Sequence, residues 1–403
     1  MAQTYLQEKF EGRENQVLKF NSQGELEAVD IEIRSIKPQI VVTAETGSTV
    51  TCNRSGVVLS ATEDSGKWVF NLPSIGNWEC IAINSIGDIG KETVEVTELK
   101  QYNIEITIGE HIYTGDNFNL NSWELISSLA SASLASSYWN VGDKKLITLN
   151  GTPNIEHWIE FENYEVYAVI IGFDHNSELE GIGLVHFQVG ILYKHPTTGI
   201  VDGTSRIAFF DTQRGGTGEN AYGSAFVMNT RSVASSPVAW SDCRMRTVYC
   251  PRFKNCLSDD LKSVLGTVNK YTDNSKSDSS STYNYTSTKD TIFLLSKYEI
   301  NCGSTYREQD WQKIYPYYEN NIGFNRRYVL TSVKSSTSAV SPTVTFNSSY
   351  YYWWLRTPGK SKSGSGSNYY TFYASSTSSD SATRYSAEYS LGFSPAFVVG
   401  KKN

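Results

Sequence analysis

Residues 350–358 read YYYWWLRTP, and the chain closes with a second apolar run, GFSPAFVVG at 392–400. Five consecutive aromatic residues precede the Leu-Arg pair, as in a strand rich in aromatic side chains. Because side chains alternate along a strand, we expect Trp353 and Trp354 on opposite faces, one inward and one toward a surface or a neighbouring layer. Arg356 is expected to pair with a carboxylate or to stack on an indole.

Between these two runs lies a polar window at residues 359–390. It holds 11 Ser and 5 Tyr, with no Val, Leu, Ile, Met, Cys, Trp or Pro. Such a segment cannot bury itself, yet apolar strands hold both of its ends. Tyr offers rigid amphipathic contact area, and Ser, Gly and Asn offer adaptable hydrogen bonds, which is also the composition of paratopes. We predict a binding surface here, and the alternative is a solvated low-complexity loop.

Composition limits the possible partners. The 403 residues leave room for two or three domains, and charged residues make up only 19%, against about 25% in an average protein. The net charge of −7 belongs mostly to residues 1–100, which have 9 basic and 15 acidic side chains. The sequence shows no basic patch for nucleic acid and no apolar run of about 18 residues for membrane insertion. The start, MAQTYLQEKF, lacks the apolar core of a signal peptide, so synthesis in a cytoplasm is expected.

The first hundred residues predict two units. Residues 1–34 are polar and indicate a connector or attachment segment, with a hairpin around residues 21–24. Short strand-like runs separated by Gly, Ser, Asn and Asp then predict a small β-sandwich at residues 35–100. Cys52 and Cys80 lie in two of its strands. We expect two buried thiols, and a disulfide formed after lysis is the alternative.

Residues 101–403 predict an α+β domain with few helices. One helix is expected from the N-cap Asn121, a second from Ser258 onward through VNKY, and a third near residues 307–315. A Ser-rich break at 273–289 predicts an exposed loop. The positions expected to face the core are Trp123, Ile126, Leu129, Ala130 and Leu134 in the first helix, and Leu261, Val264 and Leu265 in the second.

Signatures of catalysis are mostly absent from the sequence. It contains no H-E-x-x-H, G-x-S-x-G, Walker, EF-hand or C-x-x-C motif. RGGTGENAYG at 214–223 lacks the Lys-Ser/Thr of a phosphate loop and predicts an ordinary loop. We therefore predict a protein that is not an enzyme and holds no metal or cofactor.

Two groups of reactive side chains still need an interpretation. The densest titratable group has spacings that a metal site or acid/base pair would use; its members are Asp174, His175, Glu178, Glu180 and His186. The alternative is that Asp174 caps a turn and both His are satisfied by hydrogen bonds. The cysteines at 243, 250 and 256 fit no common zinc spacing and are expected to be structural thiols.

The order of several motifs resembles a known family. SSYWNVGDKKLITLNG, AVIIGFDHNS, HFQVG, LSDDLKSVLGTVNKYTDN, IFLLSKYEI, YYWWLRTP and GFSPAFVVG occur in this order and together resemble the DUF6273 domain, over about residues 117–403. That domain occurs in phage and prophage structural proteins of Firmicutes and in some bacterial surface proteins. The strands ending in KETVEVTEL resemble Ig-like modules of tail proteins, and residues 15–30 resemble connectors of phage fibres.

The order W-W-L-R, a Ser/Tyr/Asn-rich stretch and G-F-x-P-A also resembles the end of C-type-lectin-like domains, including diversified phage adhesins. This resemblance implies scaffold roles for Trp353, Trp354 and Arg356. It implies receptor contacts by Asn368, Tyr369, Tyr370, Tyr373, Arg384, Tyr385 and Tyr389. The triplets of calcium-dependent sugar binding are absent from the sequence, so a calcium-lectin mechanism is not implied.

The resulting hypothesis is a bacteriophage virion adhesin, a tail or head fibre that binds a host-cell glycan or protein. The N-terminus would bind other phage structural proteins, and a homotrimer is expected; no nucleic acid or membrane insertion is expected. A capsid decoration protein without receptor binding is the first alternative. The second is a hydrolase that works through Asp174, His175 and Glu178.

Overall fold

The computed structural model describes most of the chain. The described residues are 16–20, 23, 26–30, 37–55, 57–84, 88–109, 118–154, 159–195, 198–201, 207–210, 226–229, 239–274, 285–302, 311–319, 329–330, 352–359, 371–375, 382–389 and 391–400. The architecture is mixed α+β with a sheet-rich N-terminal region, which confirms the predicted class at that level.

Strands make up most of the regular structure. They are β1 Gln16–Phe20, β2 Leu26–Asp30, β3 Gln39–Thr43, β4 Thr49–Arg54, β5 Val57–Ser60, β6 Glu63–Asp64, β7 Lys67–Asn71, β8 Gly76–Ile83, β9 Ile89–Val96, β10 Gln101–Glu105, β11 Lys144–Asn154, β12 Ile159–Phe173, β13 Leu184–Leu192, β14 Phe209–Phe210, β15 Val268–Asp273, β16 Tyr285–Asp290, β17 Ile292–Phe293, β18 Val329–Leu330, β19 Trp353–Gly359, β20 Thr371–Ser375, β21 Ala382–Ser386 and β22 Ala396–Gly400. The α-helices are α1 Trp123–Ser131, α2 Ala135–Tyr138, α3 Ser177–Glu180, α4 Cys250–Asn255, α5 Asp259–Val264 and α6 Pro316–Glu319. Short 3₁₀ turns occupy Phe118–Leu120 and Trp240–Asp242, and a π-helical turn occupies Met245–Tyr249.

The N-terminal region contains a hairpin and two larger sheets. Strands β1 and β2 pair antiparallel, which confirms the predicted hairpin. Two four-stranded sheets follow, in the orders β10-β3-β7-β6 and β5-β4-β8-β9. They share one core, to which Ile40 and Trp68 contribute from the first sheet and Val50 and Trp78 from the second. Alternate burial along β7, KWVFN, gives this strand one core face and one solvent face.

Cys52 and Cys80 form a disulfide, so the preferred expectation of two free thiols is wrong. They face each other across β4 and β8, with their Cα atoms 4.2 Å apart. Their spacing of 28 residues does not reveal this register. The bond joins neighbouring strands of one sheet, whereas the hallmark disulfide of immunoglobulin domains joins two sheets.

The C-terminal region is organised around a five-stranded sheet in the order β11-β12-β13-β22-β17. Strand β13 and the terminal strand β22 are buried along their whole length and pair antiparallel. Phe187 of β13 stacks on Phe397 of β22, and Trp123 of α1 meets both rings edge-on. The closing GFSPAFVVG run is therefore a central strand of the core.

The helices differ from the sequence prediction at their ends. Ser122, and not Asn121, caps α1: its hydroxyl accepts a hydrogen bond from the Leu125 amide at 3.1 Å. Ser133 adopts a left-handed φ of 58° just after α1, which separates it from α2. The second helix ends at Val264, and the VNKY that we assigned to it begins β15. Residues 311–315 are not helical in the described part of the third candidate, and α6 follows them.

Strands occur in the segment expected to be a loop and in the polar window for which a loop was the alternative. The Ser-rich break at 273–289 includes β16, which pairs antiparallel with β15. The polar window at 359–390 includes β20 and β21, which extend β19 into a three-stranded sheet. Strand-type hydrogen bonding compensates for the low apolar content of these segments because it satisfies their backbone groups. The RGGTGENAYG segment at 214–223 lies outside the described residues.

Within the described part of the chain, no helix combines the length and the apolar character that crossing a bilayer requires.

Candidate functional site

Strand β19 is buried on both sides. Trp353, Trp354, Leu355 and Arg356 are each 0% exposed. The Trp354 indole donates a hydrogen bond to the Phe226 carbonyl at 2.8 Å. A strand that is covered in this way cannot contact a partner with its own side chains, but it can hold its neighbours in place.

The end of the chain fixes the start of this strand through Gly392. The Trp354 amide donates to the Gly392 carbonyl at 2.8 Å, and the Gly392 amide donates to the Tyr352 carbonyl at 3.0 Å. A Cβ at position 392 would lie 2.6 Å from the Cβ of Ala208 and 3.2 Å from the Cβ of Trp353. The close approach of the two chain segments therefore requires glycine here.

Strands β20 and β21 carry part of the predicted contact set beside β19. Tyr373 is paired in register with Arg384, and Phe372 with Tyr385. Trp354 of β19 is paired with Ala374 of β20. Three other predicted contacts lie outside the described residues: Asn368, Tyr369 and Tyr370.

Tyr352, Tyr385 and Tyr389 form an aromatic group at the edge of this sheet, which we name the tyrosine surface. The Tyr352 and Tyr385 rings lie 4.8 Å apart, and the Tyr385 and Tyr389 rings lie 5.9 Å apart at 85°. Tyr389 is 40% exposed, and the other two are partly buried. Edge-to-face packing of this kind orients the rings while leaving one of them open to solvent.

Arg356 of β19 belongs to a buried ion cluster. Lys270 donates to both carboxylate oxygens of Glu180, at 2.8 and 2.9 Å, and to Glu299 at 3.2 Å. Arg356 donates to the second carboxylate oxygen of Glu299. It also donates to the Leu294 carbonyl at 2.9 Å. All four charged side chains are 0% exposed. The predicted pairing of Arg356 with a carboxylate is thus confirmed.

Burial and neighbouring charges act in opposite directions on the two carboxyl groups. Burial raises the pKa of Glu180 to about 7, although Lys270 opposes the rise. Burial also disfavours the ionised form of Glu299, but the positive charges of Arg356 and Lys270 outweigh it and hold its pKa at about 2. Glu299 is therefore a permanent anion near neutral pH, whereas Glu180 lies close to its midpoint.

The predicted titratable group is divided by the fold. Asp174 accepts a hydrogen bond from the Leu184 amide at 2.8 Å and so joins the two ends of the loop between β12 and β13. His175 is 5% exposed, stacks on Tyr315 at 3.6 Å and hydrogen-bonds to the Lys313 carbonyl at 3.0 Å. Burial lowers the pKa of His175 to about 3.

His186 is fully buried beside the same tyrosine. Its Nδ1 atom shares a hydrogen bond of 3.1 Å with the Tyr315 hydroxyl and lies 3.9 Å from Glu180. Burial places its pKa well below the ordinary value, so this imidazole is neutral. Glu178, in contrast, is exposed. The imidazoles and Glu180 thus belong to the interior around the ion cluster, while Asp174 and Glu178 do not contribute to it.

The sequence contained no signal for the cluster as a whole. Lys270, Glu299 and Arg356 lie far apart in the chain and in three different segments. Lys270 occupies an inward position of β15, where Val268 and Thr272 are also buried, so strand periodicity could have indicated it once β15 was known.

The cysteines at positions 243, 250 and 256 are buried and free of disulfides. Burial raises the pKa of Cys243 and Cys256 to about 12. Among the described residues, no group of three or more His, Cys, Asp or Glu is positioned to hold a metal ion.

A cleft of about 810 Å³ separates the β5-β4-β8-β9 sheet from helix α1. Serines of α1 line much of one wall, including Ser127, Ser128 and Ser131. An ion pair of 3.0 Å between Lys91 of β9 and Glu124 of α1 crosses between the two walls. Because both partners are about half exposed, this pair contributes little to stability.

No curated protein matches the chain. Residues 223–401 match a protein family described as "Domain of unknown function (DUF6273)". This span is shorter than the predicted 117–403. It includes the tyrosine surface, all of β19 and three members of the ion cluster, but Glu180 and the central strand β13 precede it. Residues 223–401 are therefore a DUF6273 domain.

Proposed function

We propose that the protein is a non-enzymatic bacteriophage adhesin, which presents the tyrosine surface to a glycan or protein on the host cell. The phage context rests on the resemblance of the sequence to phage structural proteins and of its C-terminal motifs to C-type-lectin-like adhesins. The choice of the tyrosine surface as the contact site rests on the arrangement of its three rings.

The observation that carries the proposal is a group of three tyrosines with one exposed ring, which lies beside the buried residues of β19. Tyr389 is 40% exposed, while Trp353, Trp354 and Arg356 of β19 are 0% exposed. Binding sites built on rigid elements lose less conformational entropy when the partner binds. The buried strand and its ion cluster thus support a preorganised surface.

The chemistry of the surface favours an uncharged partner. Aromatic faces pack against apolar faces of sugar rings or side chains, and phenol hydroxyls form hydrogen bonds at the rim. The acidic excess of the protein lies in residues 1–100, away from this surface in sequence. The N-terminal segment would attach the protein to the particle, and a homotrimer would strengthen individually weak sites through avidity.

Binding of the fluorescently labelled full chain to a panel of Firmicutes cells tests the proposal. Tyr389→Ala should weaken binding about tenfold, and Tyr389→Phe should retain most of it because the ring remains. Leu99→Ala is the control: Leu99 is 62% exposed in the N-terminal region, so its truncation should leave binding unchanged.

A thermal midpoint equal to that of the wild type must accompany the loss in Tyr389→Ala. Unchanged cell binding by this variant and by Tyr385→Ala would contradict the proposed surface. Wild-type protein that binds empty capsids and no cell in the panel would favour the decoration protein instead.

A further inference from the structure

The hairpin β15–β16 has a polar and aromatic outer face. Burial alternates along both strands, so that Lys270, Thr272, Thr288 and Asp290 point inward. The alternate positions form the outer face: Asn269, Tyr271, Asp273, Tyr285, Ser287 and Lys289. Asp273, Tyr285, Ser287 and Lys289 come from the segment predicted to be an exposed loop, and Asn269 and Tyr271 come from the run predicted to be helical.

Three aromatic side chains meet on this face. Tyr285 is 48% exposed, and its ring lies 4.5 Å from the Trp311 ring and 5.9 Å from the Tyr271 ring. Trp311 and Tyr271 are only partly buried. Burial in the core therefore does not account for this group, which presents aromatic surface to solvent.

Buried polar side chains hold the backbone beneath these rings. Asn176, 4% exposed, donates to the Trp311 carbonyl at 2.7 Å. Gln312, 2% exposed, donates to the Tyr271 carbonyl at 3.0 Å, and Arg356 donates to the same oxygen at 3.3 Å. The aromatic group is thus fixed to the buried ion cluster and is rigid before any ligand arrives.

We propose that this outer face is a second glycan-binding site, in which a hexopyranose ring stacks on Tyr285 between Trp311 and Tyr271. Asp273 lies directly opposite Tyr285 in the hairpin register. A carboxylate accepts hydrogen bonds from sugar hydroxyls, and the hydroxyl of Ser287 and the amide of Asn269 can serve both as donors and as acceptors.

A sugar fits this face better than the other common ligands. An apolar peptide would leave the Asp273 and Lys289 charges without water, at a cost in free energy. A polyanion would meet one carboxylate and one ammonium, which do not form a basic patch. A pyranose offers an apolar C–H face to the rings and hydroxyls to the polar rim. The proposed glycan site shares no residue with the tyrosine surface. Either proposal can therefore be refuted without affecting the other.

Affinity electrophoresis of the purified full chain tests the site. Native gels are cast with dextran, mannan, galactan or soluble glycan strands of peptidoglycan, and retardation is measured against polymer concentration. The wild type should be retarded by at least one polymer. Tyr285→Ala should weaken that retardation about tenfold, and Tyr285→Phe should preserve it. Because Tyr285 is half exposed, both variants should fold with an unchanged thermal midpoint.

Leu99→Ala is the matched control, because Leu99 is 62% exposed and belongs to neither proposed site. Retardation of this variant like that of the wild type, together with loss in Tyr285→Ala, would support the proposed site. Equal retardation of Tyr285→Ala and wild type would overturn the proposal, as would a wild type that none of the four polymers retards. Neither of these results changes the expected loss of cell binding in Tyr389→Ala.

Discussion

Replacing Lys270 with Met tests whether the buried ion cluster holds the domain together. Lys270 is the cation that contacts both oxygens of Glu180, at 2.8 and 2.9 Å, and it also contacts Glu299. Met fills a similar volume but leaves Glu180 buried without its cation. Removing one partner of a buried pair costs about 3–5 kcal/mol.

The loss should depend on pH in a defined direction. The pKa of Glu180 is about 7 in the folded wild type, and removing Lys270 should raise it further because the charge that opposes burial is gone. Below pH 7 the Glu180 carboxyl is protonated in both folded proteins. The difference between their free energies of unfolding is therefore constant in this range. Above pH 7 the wild type gains an ionised, paired Glu180 that the variant cannot form. Above pH 7 the loss of unfolding free energy caused by Lys270→Met should therefore grow by about 1.4 kcal/mol per pH unit.

Differential scanning calorimetry at pH 6 and pH 8 measures the destabilisation caused by Lys270→Met and its dependence on pH. At pH 8 the C-terminal transition should fall by about 6–20 °C, from roughly 2–4 °C per kcal/mol, and at pH 6 by less. Lys262→Met is the matched control, because Lys262 pairs with the 98% exposed Asp259 and its loss should cost under about 0.5 kcal/mol. A Lys270→Met variant as stable as Lys262→Met, or one whose penalty shrinks from pH 6 to pH 8, would refute this reasoning.

Three further changes test other parts of the structure. Gly392→Ala should destabilise the C-terminal region by about 1–3 kcal/mol, because the new methyl group meets Ala208; an unchanged midpoint in urea unfolding would show that the two segments separate easily. Reducing the disulfide between Cys52 and Cys80 should cost the N-terminal sheets about 3.5 kcal/mol by loop entropy, and the Cys52→Ala and Cys80→Ala double variant should show the same loss and no response to reductant. Ser122→Ala should cost about 1 kcal/mol, measured by urea unfolding; no loss would mean that its hydroxyl does not cap α1.

Local sequence patterns predicted those features that depend on local physics. The aromatic strand at 353–359, the buried closing strand and the N-terminal hairpin follow from apolar runs and turn residues. Arg356 was expected to pair with a carboxylate or to stack on an indole, and its ion pair with Glu299 confirms the first alternative. Predictions of this kind need no knowledge of which distant segments pack against each strand.

Features that depend on register or on distant partners could not be predicted. Cys52 meets Cys80 only because β4 and β8 pair with one particular register. Strand β16 forms from a Ser-rich sequence because β15 provides its hydrogen-bond partners, so a composition typical of loops was misleading. Tertiary packing brings Lys270, Glu180 and Glu299 into contact. The amino-acid sequence alone does not reveal these contacts.

For the tyrosine surface, the resemblance to C-type-lectin-like domains indicated Tyr385 and Tyr389, and the composition of residues 359–390 indicated the chemistry. Tyr385 and Tyr389 were expected as contacts, and the structure places them in one aromatic group. Tyr352 was not expected there. It joins the group because Gly392 fixes the backbone before β19.

Immunogold electron microscopy of phage particles, with an antibody against residues 223–401, tests the proposed adhesin most directly. The particles would come from a lysate of cells that carry the gene. We predict label at the free ends of tail or head fibres, and loss of label when the same antibody is first absorbed with the purified domain. Label spread evenly over the capsid surface, or no label on any particle, would contradict the adhesin.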